Sequence, residues 1–466
     1  MAQSKTAEKK SGLTTKHLIG YGLGDAGGCM TFALMGSIAT RYYTNVLQVN
    51  TVILAAILLI WNVWDAVNDP LVGALMDKIY AKNHNPKGKF RPWLLRSAPL
   101  VCVTAIIFWT VPTFFEGTTM LVVLFFTKIL YEGCYTFFNI PMGSLLSAMA
   151  ENDKERSSLS SARGFGSLVG NYIPLILFPQ ILAMMGDTPA AYGIGSVICA
   201  GIGLVMCLLH YAWTEERFIV ENAPDQQDKV KMTDIFTVFR KNRPFLALCI
   251  HGLCICTMQY VGSTLGTYMY SDVLGDIGMM SYASIISIPI TVIALALVPK
   301  LTEKWDLVTV IRGCLLIGAA LYVSLFIVMM VIGIPAVVYM VWVQLASGIA
   351  GVSILMQWGL VGEAIDYNEM VTGKRTEGSI YGTFNLARRI GQSVGNSAAV
   401  LALGWIGYDA TLAVQSAFTI GGIKALVVLV PGIFVLGSWA AFKFVWNITD
   451  DTRKQMAVFK EAKKAD

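Results

Sequence analysis

Apolar stretches of bilayer length follow one another along almost the whole of this 466-residue chain, separated by short polar turns. A helix needs roughly 20 apolar residues to cross the hydrocarbon core of a membrane. Such stretches lie near residues 18–46, 52–77, 93–113, 118–149, 158–184 and 190–213, and again near 243–272, 281–299, 307–331, 334–364, 378–404 and 421–448. Only 14% of the residues are charged and 55% are hydrophobic, with a mean hydropathy of +0.60. A soluble protein carries about 25% charged residues, so lipid is the solvent this surface is built for. The expected fold is therefore all-α, with twelve transmembrane helices.

The polar stretch from Thr214 to Arg243 is the one long interruption. It divides the chain into an N-terminal six-helix half (1–213), a central linker (214–242), a C-terminal six-helix half (243–448) and a tail (449–466). Two halves of equal span number are a common design among secondary transporters. The segment Met1 to His17 is polar and basic, with no short apolar run before a small-residue cleavage site, so no cleaved signal is expected. The 9 cysteines all fall in apolar segments and form no CxxC pair, which speaks against disulfides and metal sites. The net charge of +5 is spread over short loops, so no nucleic-acid partner is expected.

Those loop charges fix an orientation. Lys78, Lys82, Lys87, Lys89, Arg91, Lys154, Arg156, Arg240, Lys241, Lys304, Lys374 and Arg375 all fall on one side if the N-terminus is cytoplasmic, while the opposite loops hold no Lys or Arg. Basic residues favour the cytoplasmic side, so both termini are expected there.

Ionisable residues within a span cost several kcal/mol unless they face a cavity or a partner. Trp64-Asp65-Ala-Val-Asn68-Asp69-Pro70 places two carboxylates four residues apart on one helical face. Such a pair suits a hard cation or a shared proton; the plainer alternative is a structural pair satisfied by Asn68 or a neighbouring basic residue. In the fourth span, Lys128, Glu132, Thr136 and Asn139 form one polar stripe. Lys128 and Glu132 either neutralise each other or serve the site, and Thr136 and Asn139 offer neutral oxygen ligands. Arg163 opens the fifth span, and Arg388-Arg389, flanked by Gly391 and Gln392, lies in the eleventh. Arginine forks bind hydroxyls or carboxylates in pairs. Arg389 reads as functional, and Arg388 equally as the partner of an acid. Trp61, Trp64, Trp358 and Tyr381 suit stacking on a sugar ring or ordinary packing. Asp77, Lys78 and the following run Lys87-Gly-Lys-Phe-Arg91-Pro-Trp93 form either an inner gate latch, together with Glu151 to Arg156, or a solvated loop.

The runs Tyr21-Gly-Leu-Gly-Asp25, Trp64 to Pro70, Lys87 to Trp93, Asn139-Ile-Pro141 and Glu363-Ala-Ile-Asp-Tyr367 resemble the glycoside–pentoside–hexuronide:cation symporters, a family of the major facilitator superfamily that includes the melibiose permeases. The resemblance implies alternating access in a bacterial inner membrane, with a sodium ion or proton driving uptake of a sugar or glycoside by a monomer. It needs no cofactor beyond that coupling cation. By position, Asp65, Asp69 and Thr136 match cation-site residues, and Arg163 matches a sugar-contacting arginine. Arg389 stands where the melibiose permeases have lysine. Asn139 replaces an aspartate that touches both sugar and cation, Gly143 a tryptophan, and Cys29 a sugar-binding aspartate, so galactoside specificity does not carry over. Glu132 is then expected to supply some of the missing negative charge or to act as a proton carrier. Residue reading and resemblance together give an expected substrate set of Asn139, Arg163, Arg389, Gln392 and Trp358, with Asp65, Asp69, Thr136, Asn139 and Glu132 for the cation. A membrane-embedded enzyme would need a nucleophile or metal constellation, and His17, His84, His210 and His251 pair into none. A non-sugar transporter, sensor or lipid flippase on the same scaffold is the rival reading.

Overall fold

A computed structural model of the chain describes residues 12–82, 88–217, 242–373 and 377–465, and helices are the regular structure among these residues. We label the long helices α1 (Thr15–Ser37), α2 (Thr51–Lys82), α3 (Arg91–Thr110), α4 (Gly117–Met149), α5 (Asp153–Met185), α6 (Pro189–Trp213) and α7 (Arg243–Tyr268). Then follow α8 (Met279–Lys304), α9 (Leu307–Val331), α10 (Ala336–Thr372), α11 (Glu377–Trp405), α12 (Ala417–Val445, passing through two π-helical turns) and α13 (Asp450–Ala465). Among the described residues, 9 helices are long and apolar enough to cross a membrane: α3 to α10 and α12. In the remaining long helices α1, α2 and α11, glycines, polar and charged residues interrupt the apolar sequence.

Local chemistry sets the helix ends. Asn152, Thr188, Asn242, Asp306 and Ser416 each stand just before a helix and accept a hydrogen bond from the backbone N–H three residues on, which satisfies a donor the helix leaves open. Pro92, Pro189 and Pro244 occupy first-turn positions where no N–H is missed. The expected first span, 18–46, is interrupted: α1 stops at Ser37, and a π-helical turn, Tyr42–Val46, completes the stretch. Many apolar side chains, among them Val63, Phe126, Val205, Ile293 and Phe444, stay exposed on the helices. Acyl chains solvate such groups where water would not.

The chain groups into two compact units. The first comprises residues up to Met35 together with Ile60–Ala223. Its core is built from Tyr21 on α1, Leu94, Ala98 and Val101 on α3, and Tyr131, Phe138, Met142 and Leu145 on α4. A second aromatic knot stacks Trp109 (α3) on Tyr192 (α6) with Phe178 (α5) at its edge. Helices α1 and α5 touch backbone to backbone: a Cβ at Gly166 would collide with the main chain of Gly22, and one at Gly170 with that of Ala26. Small residues allow this approach between membrane helices.

The second unit comprises Gly36–Leu59 and Pro224–Asp466. Two polar clusters tie it at separate places. Arg41 donates to Asp272 Oδ2 at 2.9 Å and to Ser271 at 2.6 Å, and Thr44 meets the Tyr268 hydroxyl at 2.6 Å. The tail forms α13, whose Arg453 binds Glu363 at 2.6 Å, Asp306 at 3.3 Å and Asp450 at 3.1 Å. Most of the expected linker, 214–242, lies outside the described residues.

Candidate functional site

In the first unit, α2 and α4 carry the polar residues expected to hold a cation. Asn68 is buried on α2 and its Nδ2 donates to Thr136 Oγ1 on α4 at 2.7 Å. That bond holds the Thr136 hydroxyl oxygen against α2. Asp65, one turn before Asn68, is half-buried. The side chains of Asp69 and Asp77 lie outside the described residues. Asn139, one turn after Thr136, is half-buried as well. Lys128 and Glu132 form an ion pair at 2.7 Å, and the ammonium also sits over the rings of Phe108 and Tyr131. Of the two openings left by the sequence, mutual neutralisation is therefore the arrangement seen. The second carboxylate oxygen of Glu132, Oε2, is buried without a hydrogen bond. Among the described residues, no three His, Cys, Asp or Glu side chains converge to hold a metal.

A second polar seam runs between α1 and α5. Arg163 Nε donates to Asp25 Oδ1 at 3.0 Å, with the arginine side chain 37% exposed and the aspartate 12%. One turn further along both helices, Cys29 Sγ lies 3.7 Å from Ser167 Oγ, and Asn171 donates to the Ser167 carbonyl at 2.7 Å. Residues 163, 167 and 171 share one face of α5, as 25 and 29 share one face of α1. The Tyr21 hydroxyl, beside this seam, donates to the Met142 carbonyl at 3.1 Å. From α4, Gly143 leaves room for the guanidinium: a Cβ there would stand 3.4 Å from Arg163 Nη1. Ser167 and Asn171 belong to none of the motifs visible in the sequence. Their i, i+4 spacing is visible there, but the facing of α1 to α5 is not.

In the second unit, Arg388 and not Arg389 is the arginine that engages Trp358, with its guanidinium 5.4 Å from the ring centre. Trp358 also stacks on Tyr381 at 6.1 Å and meets Phe384 edge-on. Arg388 thus serves an aromatic partner where an acid was an alternative. Arg389 and Gln392 are half-buried on α11.

Of the residues read as a gate, Lys78 is exposed, and Arg91 binds within its own unit: Nη2 donates to the Tyr211 carbonyl at 2.9 Å and the guanidinium lies 4.5 Å over the Tyr211 ring. The loop before α3 is organised by a residue the sequence reading passed over. The Glu216 carboxylate accepts the backbone N–H groups of Lys89, Phe90 and Arg91 at 2.7, 2.7 and 2.8 Å. A carboxylate at a helix start satisfies open donors and complements the helix dipole.

Comparison with known proteins gives this arrangement a context. The family described as "MFS/sugar transport protein" matches residues 20–450. The chain is 28% identical over 453 residues to an uncharacterized symporter, YjmB, of Bacillus subtilis, covering 97% of this chain and 96% of that one. It is 29% identical over 458 residues to the glucuronide carrier protein homolog of Escherichia coli, covering 96% and 95%. Among solved structures, a point mutant of the nucleoside transporter NupG superposes with a TM-score of 0.65 at 13% identity, covering 93% of this chain and all of that one.

Proposed function

The chain belongs to the MFS/sugar transport protein family, and from that premise we propose that it is a cation-coupled symporter bringing a sugar or glycoside into a bacterial cell. It is a multi-pass membrane transporter and not an enzyme; the resemblance to glycoside–pentoside–hexuronide:cation symporters agrees with the names its relatives carry. The proposal adds twelve spans in two halves, cytoplasmic termini, alternating access and the identity of the ligands.

The observation that carries the reading is the Asn68–Thr136 bond, which draws the acidic face of α2 against the polar stripe of α4. The Thr136 hydroxyl and Asn68 amide are neutral oxygen ligands and the Asp65 carboxylate a charged one, the kinds a small hard cation takes. In the proposed cycle the cation enters at Asp65, Asp69 and Thr136 and offsets carboxylates that are otherwise unfavourable in lipid. Sugar binds with contributions from Asn139, Arg163, Arg389, Gln392 and Trp358. Sodium and proton both satisfy this scheme. A ligand shifts a two-state carrier only through its differential affinity for the states, so the carrier loaded with cation and sugar is the form that reorients.

Replacing Asp65 or Asp69 by Cys tests the assignment. Each variant is expected to lose gradient-driven accumulation while still exchanging sugar down its own gradient. Full accumulation by either would refute the cation site.

A further inference from the structure

Arg163 is the arginine that the sugar reading places at the substrate, yet its positive charge is already balanced. Its Nε is bound to Asp25 at 3.0 Å, and its side chain is 37% exposed. Nη1 lies beside Gly143 on α4, where a Cβ would stand at van der Waals contact, 3.4 Å away. Gly143 lies one turn from the half-buried Asn139 on the same face of α4. The next rung, Cys29 with Ser167 and Asn171, is polar and uncharged. Lys128, the basic side chain on the polar stripe of α4, is likewise paired, with Glu132 at 2.7 Å.

Resting on the sugar-transport reading above, we infer that Asp25 sets the charge selectivity of the site: the neutral Asp25–Arg163 pair selects uncharged, hydroxyl-bearing glycosides over their uronate counterparts. The chemistry is direct. A sugar hydroxyl both donates and accepts, so it bonds a guanidinium N–H and a carboxylate lone pair at once. A uronate carboxylate only accepts. It gains the same guanidinium donors but arrives beside the Asp25 carboxylate, and two like charges within a few ångströms oppose one another in a poorly screened site. Gly143 contributes space, since it places no side chain against the guanidinium.

The test compares p-nitrophenyl β-D-glucoside with p-nitrophenyl β-D-glucuronide, which differ only in carrying a hydroxymethyl or a carboxylate at the terminal carbon of the sugar. Binding of each to the purified full chain is measured at equilibrium, and exchange of each is measured in proteoliposomes. The unmodified chain is expected to favour the glucoside at least tenfold. Asp25→Asn, which leaves Arg163 as an unopposed cation, should move the ratio at least tenfold toward the glucuronide. The double variant Asp25→Asn with Arg163→Gln, neutral again, should bind both more weakly but return to favouring the glucoside. That recovery separates a charge effect from damage to the fold. Asp25→Glu should keep the original preference. A glucuronide preference in the unmodified chain overturns the inference while leaving the sugar reading intact. So does an Asp25→Asn ratio that stays put while the protein still binds. Failure of the unmodified chain to bind or exchange either glycoside overturns the sugar reading and this inference with it.

Discussion

Gly88 and Glu216 offer the sharpest test of how the loop before α3 is held. Gly88 has φ +103°, a region open to glycine and strained for other residues, and a Cβ there would fall on the Glu216 carboxylate. That carboxylate caps three backbone N–H groups. A hydrogen bond to a charged acceptor contributes about 1.5–3 kcal/mol when shielded, and water at this half-buried site brings each nearer to ~1 kcal/mol. Glu216→Ala is therefore expected to cost about 3 kcal/mol. Gly88→Ala adds backbone strain of ~1–2 kcal/mol and also drives the carboxylate off its donors, for about 4 kcal/mol in all. With Glu216 already gone, only the strain remains. The pair should thus couple by about 2–3 kcal/mol in a double-mutant cycle. At roughly 2–4 °C per kcal/mol for a unit of this size, Gly88→Ala lowers the unfolding midpoint by about 8–16 °C alone and by about 2–8 °C in the Glu216→Ala background. Thermal unfolding in detergent, followed by a thiol-reactive dye that reports exposure of the buried Cys102, Cys199 and Cys207, measures both decrements. Equal decrements in the two backgrounds would refute the reasoning.

The tail and the helix contacts give two more. Burial alone would raise the Asp306 carboxyl, but hydrogen bonds from the Thr309 hydroxyl and N–H and from Arg453 outweigh it and hold it below the usual carboxylate value. A group so depressed stabilises the fold above its unfolded pKa of about 4 and loses that contribution as pH falls through the lower folded value. Helix α13 should therefore stay protected from amide exchange at pH 7 and loosen as pH drops below about 4, whereas Arg453→Gln should loosen it already at pH 7; protection unchanged by either would contradict a role for the Arg453 contacts in holding α13. Gly166→Ala places a methyl group against the main chain of Gly22 and should cost about 1–3 kcal/mol through forced separation of α1 and α5, read as a lower unfolding midpoint.

The sequence carried the helices because bilayer length and loop charge are local properties. Apart from the interrupted first span, the expected spans fall on helices, and several helices run past the apolar stretch, α10 to Thr372 and α2 to Lys82, since a helix continues beyond the lipid where its caps allow. The polar stripe of α4 and the acidic motif of α2 were legible for the same reason. Pairings across helices were not. Asp25 and Arg163 stand 138 positions apart, Glu216 caps residues about 125 positions before it, and Arg453 reaches back 90 positions to Glu363. Nothing in the spacing of either partner selects the other. Trp358 shows the limit at one-residue scale: adjacent arginines point about 100° apart on a helix, and only the packing of α10 beside α11 decides that Arg388 meets the ring.

The measurement closest to the central claim is accumulation of a neutral glycoside by proteoliposomes holding the full chain, under an imposed inward sodium or proton gradient. The account predicts uptake above the equilibrium level, driven by one of the two gradients and collapsed when that gradient is dissipated. Uptake that only equilibrates under both gradients, or is absent for every glycoside offered, would contradict cation-coupled sugar transport.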